Sequence, residues 1–219
     1  MADAALVRRL LVEALGSALL LATVVGSGIM ADRLSAGNTG VALLANALAT
    51  GAMLFVLITA FGPVSGAHFN PVVSGLAALR GDMSWRDAGS FIGVQLIGAL
   101  CGVLLANAMF DLPVLQIAAK TRASPGQWLS EAVATFGLLI TIHGTLASKP
   151  PAVPQAVALY IVAAYWFTAS TSFANPAVTV ARMFSDTFAG INPSSVPMFI
   201  IAQLIGAGVA AWAIRRIWP

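Results

Sequence analysis

The sequence predicts an all-α integral membrane protein, with six transmembrane helices and two re-entrant half-helices arranged as inverted three-span repeats. Three observations lead there. Of the 219 residues, 59% are hydrophobic and only 9% are charged, far below the roughly 25% charged content of soluble domains. The apolar residues are gathered into segments of the length that crosses a bilayer, about 20 residues each. Finally, the second half of the chain repeats the first.

The elements follow in order. Apolar segments fall at about 7 to 30, 41 to 61, 88 to 110, 128 to 147, 153 to 171 and 196 to 214, which makes six spans. Two shorter segments, about 70 to 79 and 175 to 184, each open on Asn-Pro. A helix of ten residues rises only about 15 Å, half the hydrocarbon thickness, so these two must enter and leave on the same side. Non-helical backbone beside them survives at that depth only when buried in protein or lining a water-filled cavity. The stretch 111 to 127 reads as a long outer loop and SKPPAVP, 148 to 154, as a short turn.

The repeat is direct to read. VEALGSALLLATVVG from Val12 lies over SEAVATFGLLITIHG from Ser130 without a gap, placing Glu13 over Glu131 and Gly26 over Gly144. HFNPVV faces FANPAV, and QLIGALCG from Gln95 faces QLIGAGVA from Gln203. The chain 1–219 is thus one unit, with repeat one at about 1–110 and repeat two at about 128–219. Three spans is an odd number, so the second copy enters from the opposite face and the two Asn-Pro starts meet near the midplane. With both termini cytoplasmic, Arg8, Arg9, Arg80, Arg86, Lys149, Arg215 and Arg216 lie inside, and Arg33, Lys120, Arg122 and Arg182 outside. The positive-inside rule favours that orientation, in a cell inner (plasma) membrane.

Several function classes are excluded or disfavoured. The formal charge of +3 comes from a few groups near span ends rather than a basic patch, so the partners are the lipid bilayer and small solutes, not nucleic acid. Arg8 and Arg9 before an apolar stretch resemble a signal peptide, but Glu13 inside that stretch argues against cleavage. No cluster has metal-ligand spacing and no GxxxxGK[ST] box occurs, so no metal or cofactor is expected. Ser65 and His68 are the only pair hinting at hydrolysis, and no GxSxG elbow accompanies them. Cys101, alone in an apolar run, reads as a small packing residue.

In each Asn-Pro box, proline suits the first helical turn because its missing N–H would be unpaired there, and asparagine can cap the helix. Asn70 with Pro71, and Asn175 with Pro176, then hold their own helix starts while the amide NH2 groups point into a pore. Two helix N-termini meeting at the midplane set partial positive charge there, which disfavours cations and protons. The boxes, the run SGAHFNPVV at 65 to 73 and the paired glutamates resemble the aquaporin and aquaglyceroporin (major intrinsic protein) family over nearly the whole chain. That resemblance implies a passive pore for small neutral solutes, one per subunit of a homotetramer, and no enzymatic activity. It also makes Glu13 and Glu131 braces for the loops before the half-helices, in preference to the rival reading of intramembrane carboxylates as proton-coupling groups of a secondary transporter. Gln95 and Gln203 join the support. His68 lines the inner half of the pore or is a hydrogen-bonded structural residue, and His143 reads as structural.

The first box reads Asn70-Pro71-Val72 where the family has alanine third, which would tighten or dry the wall; the second reads Asn175-Pro176-Ala177. The resemblance further implies an outer constriction of four side chains, one directly after the second box and normally arginine. Here it is Val178. Counting from the boxes, the others fall on Thr50, Ala163 and Ser172, with Ala164 or Tyr165 as alternatives along span five. Thr, Ala, Ser and Val make a wide, neutral constriction. Arg182, one turn past Val178, either supplies positive potential at the vestibule or pairs with Asp186. This pattern resembles the divergent channels of arsenic-resistance operons in soil bacteria, which implies arsenous acid and methylated arsenicals as cargo. A plain glycerol or water channel is the nearest alternative.

Overall fold

The computed structural model describes residues 2–218, so the first and last positions of the 1–219 unit lie outside the described residues. The chain is helical throughout, with α1 (Ala2–Leu34), α2 (Thr39–Ser65), α3 (Pro71–Arg80) and α4 (Trp85–Met109) forming the first half. In the second half α5 (Pro125–Ser148), α6 (Val153–Phe167), α7 (Pro176–Ala181) and α8 (Val196–Ile217) repeat that order. The short helices α3 and α7 are the half-helices opened by the two Asn-Pro boxes.

Local chemistry sets the ends. Asn38 caps α2 through its side-chain oxygen, 3.1 Å from the Val41 N–H, and α2 stops at Gly66, whose φ of 93° only glycine adopts cheaply. Ser124 and Gln127 form a reciprocal capping box at the start of α5. The helix α1 begins about five residues earlier than its apolar run, carrying Arg8 and Arg9 in its first turns.

Five helices, α1, α2, α4, α5 and α8, are long and apolar enough to cross a membrane. The sixth predicted span differs. α6 has 15 residues and ends at Phe167 rather than 171, a rise of about 22 Å. A 3-10 turn at Pro150–Ala152 precedes it, and the chain after Phe167 descends as irregular backbone into the second half-helix. The prolines at 150, 151 and 154 fix its start at Val153, where the apolar run also begins, since proline is tolerated in the first turn and breaks a helix interior.

Helix pairing is the same in both halves: α1 packs on α4, and α5 on α8. Small residues allow the approach. A Cβ added at Gly98 or Gly102 would run into the carbonyls of Ala14 and Ala18, and one at Gly206 into the carbonyl of Ala132, the repeat partner of Ala14. Across the halves α2 meets α6, and the half-helices α3 and α7 pack on α4, on α8 and on each other. Cys101 departs from its expected packing role: it is exposed on the outer surface of α4.

Candidate functional site

The site begins with strained backbone. Ala67 and Phe69 before the first box, and Ser172 and Ala174 before the second, hold φ between 47° and 51°, a region that costs a non-glycine residue of order 1 kcal/mol. Such turns also point consecutive N–H groups the same way, and each set converges on a fully buried glutamate. Glu13 accepts from the His68 N–H at 3.0 Å, the Phe69 N–H at 2.7 Å, the Ser65 hydroxyl at 2.6 Å and the Gln95 amide at 2.8 Å. Glu131 accepts from the Phe173 N–H at 2.8 Å, the Ala174 N–H at 2.9 Å and the Gln203 amide at 2.6 Å. Gln95 and Gln203 each reach on to a half-helix hydroxyl, Ser74 at 3.0 Å and Thr179 at 2.8 Å.

The boxes lock to one another at the centre. Each asparagine oxygen caps its own helix, Asn70 accepting from Val72 and Asn175 from Ala177 and Val178. Each amide nitrogen then crosses to the other repeat: Asn70 donates to the Ala174 carbonyl at 2.8 Å and Asn175 to the Phe69 carbonyl at 2.8 Å. A side-chain amide has two N–H donors, so one of each pair is left for the cavity that both asparagines line.

That cavity holds about 400 Å³ and runs through the bundle from Arg80, Asp82 and His143 at one end to Arg182 at the other. His68 lines it and also bonds Ser74 through Nδ1 at 3.0 Å, so both readings of this residue hold at once. His143 lines the same end as Arg80 and Asp82, edge-on to Trp218 with ring centroids 5.3 Å apart. Much of the remaining wall is apolar, from Leu20, Val24, Leu54 and Leu138.

Two sequence expectations change here. Val72 is buried and does not line the cavity; the wall residue is Val73. The helical screw turns position 72 sideways, as it turns the matching Ala177 sideways in α7, where Val178 lines instead. On span five, Ala163 is exposed on the outer face of α6, and Tyr165, two residues on, lines the cavity. Its hydroxyl sits 3.2 Å from Thr50 Oγ1. Thr50, Tyr165, Ser172 and Val178 all line the cavity, with Tyr165, the alternative named for span five, in place of Ala163.

Arg182 also lines the cavity and is buried. It does not pair with Asp186, whose carboxylate accepts from the Ala119 N–H at 2.8 Å. Its Nε donates to the Ala189 carbonyl, and its guanidinium lies 3.5 Å from the Phe173 ring centroid. Arg122, read in the sequence only as an outer-loop charge, is buried as well, 5.0 Å from the same ring, donating to the carbonyls of Gly190 and Ser170. No local signal in the sequence marks it. The loop between α4 and α5 folds back through backbone bonds from the Ala118 N–H to the Met183 carbonyl and from the Asn192 N–H to the Lys120 carbonyl. Desolvation, then Arg122 and Arg182, push the Lys120 ammonium down to about 8.

A helical bundle pierced by a cavity, with two half-helices meeting head to head beside it, defines a transmembrane channel for small solutes. The sequence profile of the Major intrinsic protein family matches residues 1–161, and the chain belongs to that family. Over 211 residues it is 56% identical to Aquaglyceroporin AqpS of Rhizobium meliloti (strain 1021), covering 96% of this chain and 90% of the relative. Aquaporin TIP4-4 of Zea mays is 32% identical, covering 95% and 85%. The fold is similar to that of the aquaglyceroporin from Plasmodium falciparum, with a TM-score of 0.72, 19% identity and 95% of each chain covered. As a channel of this family the protein is not an enzyme.

Proposed function

We propose that the channel is a wide, passive facilitator for small neutral hydroxylated solutes, with arsenous acid and small methylated arsenicals as favoured cargo and glycerol and water also admitted. The observation that carries this is Val178. It stands on the cavity wall directly after the second box, so no guanidinium projects from that position. An isopropyl group there removes a charge and five N–H donors that would hold ordered water and narrow the passage. Thr50 and Ser172 add small polar contacts for hydroxyl-bearing solutes, and the apolar remainder of the wall suits a weakly hydrated molecule. The name of the Rhizobium meliloti relative, an aquaglyceroporin, agrees with a solute pore.

Tyr165 favours a second reading within the same class, a narrower glycerol or water channel, because it adds an aromatic side chain to the wall of the cavity that Val178 lines. Ion-coupled transport finds no such support: the oxygens of Glu13 and Glu131 are engaged by structural donors. We further propose a homotetramer with one pore per subunit in the inner membrane, both termini cytoplasmic. Arg9 and Asp87 lie 3.9 Å apart at the inner end of this arrangement, and Arg33 bonds the Phe110 carbonyl at the outer end.

The deciding experiment is stopped-flow permeability of proteoliposomes to water, glycerol and arsenous acid, for the native protein and Val178→Arg. Solute flux above empty liposomes that collapses in the arginine variant supports the wide channel. Fast water flux with negligible solute flux in the native protein selects the water-channel reading instead.

A further inference from the structure

Arg182 has the surroundings of a binding group rather than of a structural cation. It is 2% exposed and lines the outer end of the cavity. Only its Nε has a protein acceptor, the Ala189 carbonyl. A guanidinium has five N–H donors in a planar fork, so the four on its two terminal nitrogens have none among the described residues. Its face rests on Phe173, which leaves the edge carrying those donors free of the stack. No carboxylate is in ion-pair reach: the two salt bridges among the described residues are Arg9 with Asp87 and Arg80 with Asp82, and both involve inner-side arginines.

A second observation is independent of the first. The Ser172 hydroxyl is buried without a hydrogen-bond partner and lines the same cavity. Meanwhile Arg122 and Lys120 meet only carbonyl oxygens and aromatic rings, Lys120 donating to the Phe188 carbonyl at 3.0 Å. Three cations thus gather at one end, and none of them makes a salt bridge among the described residues. A buried charge without a full partner is unfavourable unless something supplies the counter-charge.

We propose that the outer end of the cavity is a docking site for a small, singly charged oxyanion, held by the terminal N–H groups of Arg182 with the Ser172 hydroxyl as a further donor. It rests on the channel reading above and extends it from neutral solutes to a charged one. The planar fork of arginine matches two oxygens of such an anion and binds them through charge-assisted hydrogen bonds. The midplane asparagines are neutral, and the cation sits one turn outward of Val178, so the anion is captured at the mouth rather than drawn to the centre. A neutral polyol can use the same donors, but without the charge it gains less.

Hypophosphite is the probe: a small tetrahedral oxyanion that stays singly charged at neutral pH. Its phosphorus-31 line is followed against detergent-solubilised full-length protein, native, Arg182→Gln, Arg182→Lys and Ser172→Ala. Broadening that titrates in the native protein, weakens about tenfold in Arg182→Gln and is largely restored in Arg182→Lys supports the site; tenfold is the loss of one charge-assisted contact. Ser172→Ala, which leaves Arg182's contacts in place, weakens it by a smaller factor. No broadening in the native protein, or equal broadening in Arg182→Gln, overturns it. Because binding is read without flux, a failure of the solute-channel reading shows up separately, as absent glycerol permeability in proteoliposomes. If Arg182→Gln does not fold, the Ser172→Ala comparison decides alone.

Discussion

At the residue scale, the two buried glutamates accept from backbone and side-chain donors, Glu13 from four and Glu131 from three. Replacing Glu13 with alanine strands the N–H groups of His68 and Phe69, the Ser65 hydroxyl and the Gln95 amide. Each unpaired buried donor costs about 1 kcal/mol or more, so Glu13→Ala should lose about 3 kcal/mol or more, read as a lower unfolding midpoint in detergent. Glu131→Ala should fall by a similar amount, since the repeat gives it the same job. Both glutamates were legible in the sequence by the repeat alone. Tyr165 stood in the sequence only as an alternative to Ala163, because the helical phase of span five cannot be counted from a box that irregular backbone separates from it. Tyr165→Ala should raise glycerol permeability severalfold relative to water in stopped-flow measurements, and an unchanged ratio would remove its ring from the selectivity argument.

At the element scale, helix contact depends on glycines that leave no room for a side chain. Gly102→Val would press a side chain onto the Ala18 carbonyl, and overpacking of this kind costs typically 1–3 kcal/mol. The loss should be measurable in thermal unfolding, whereas Cys101→Ala on the exposed face of the same helix should shift stability by no more than about 0.5 kcal/mol. Gly98 and Gly102, like Gly206 and Ala210, stand four apart in the sequence, but which helix each glycine meets is decided only by the fold. Span boundaries show the same division. Apolar length located α1, α2, α4, α5 and α8, yet α6 is shorter than its apolar run because Thr168 to Asn175 must leave the helix to present N–H groups to Glu131.

At the scale of the whole molecule, charge is divided between the two ends of the pore, and the outer end has a pH signature. Folding lowers Lys120 from an ordinary 10.5 to about 8, through burial and then Arg122 and Arg182, so the folded chain holds that proton less tightly than the unfolded chain. Stability should therefore rise with pH between about 8 and 10.5, and Lys120→Met should lack that part of the slope when unfolding midpoints are compared across the window. The sequence by itself determined the membrane class, the inverted repeat, the paired Asn-Pro starts and the missing arginine at Val178, because composition, internal repetition and identity at a motif are properties of the chain in one dimension. Only the tertiary structure decided that Tyr165 rather than Ala163 faces the cavity, that Val73 rather than Val72 forms its wall, and that Arg182 lies buried without a carboxylate. Those outcomes depend on how each helix is rotated against its neighbours and where a long loop folds back, and both are settled by contacts between residues far apart in the chain.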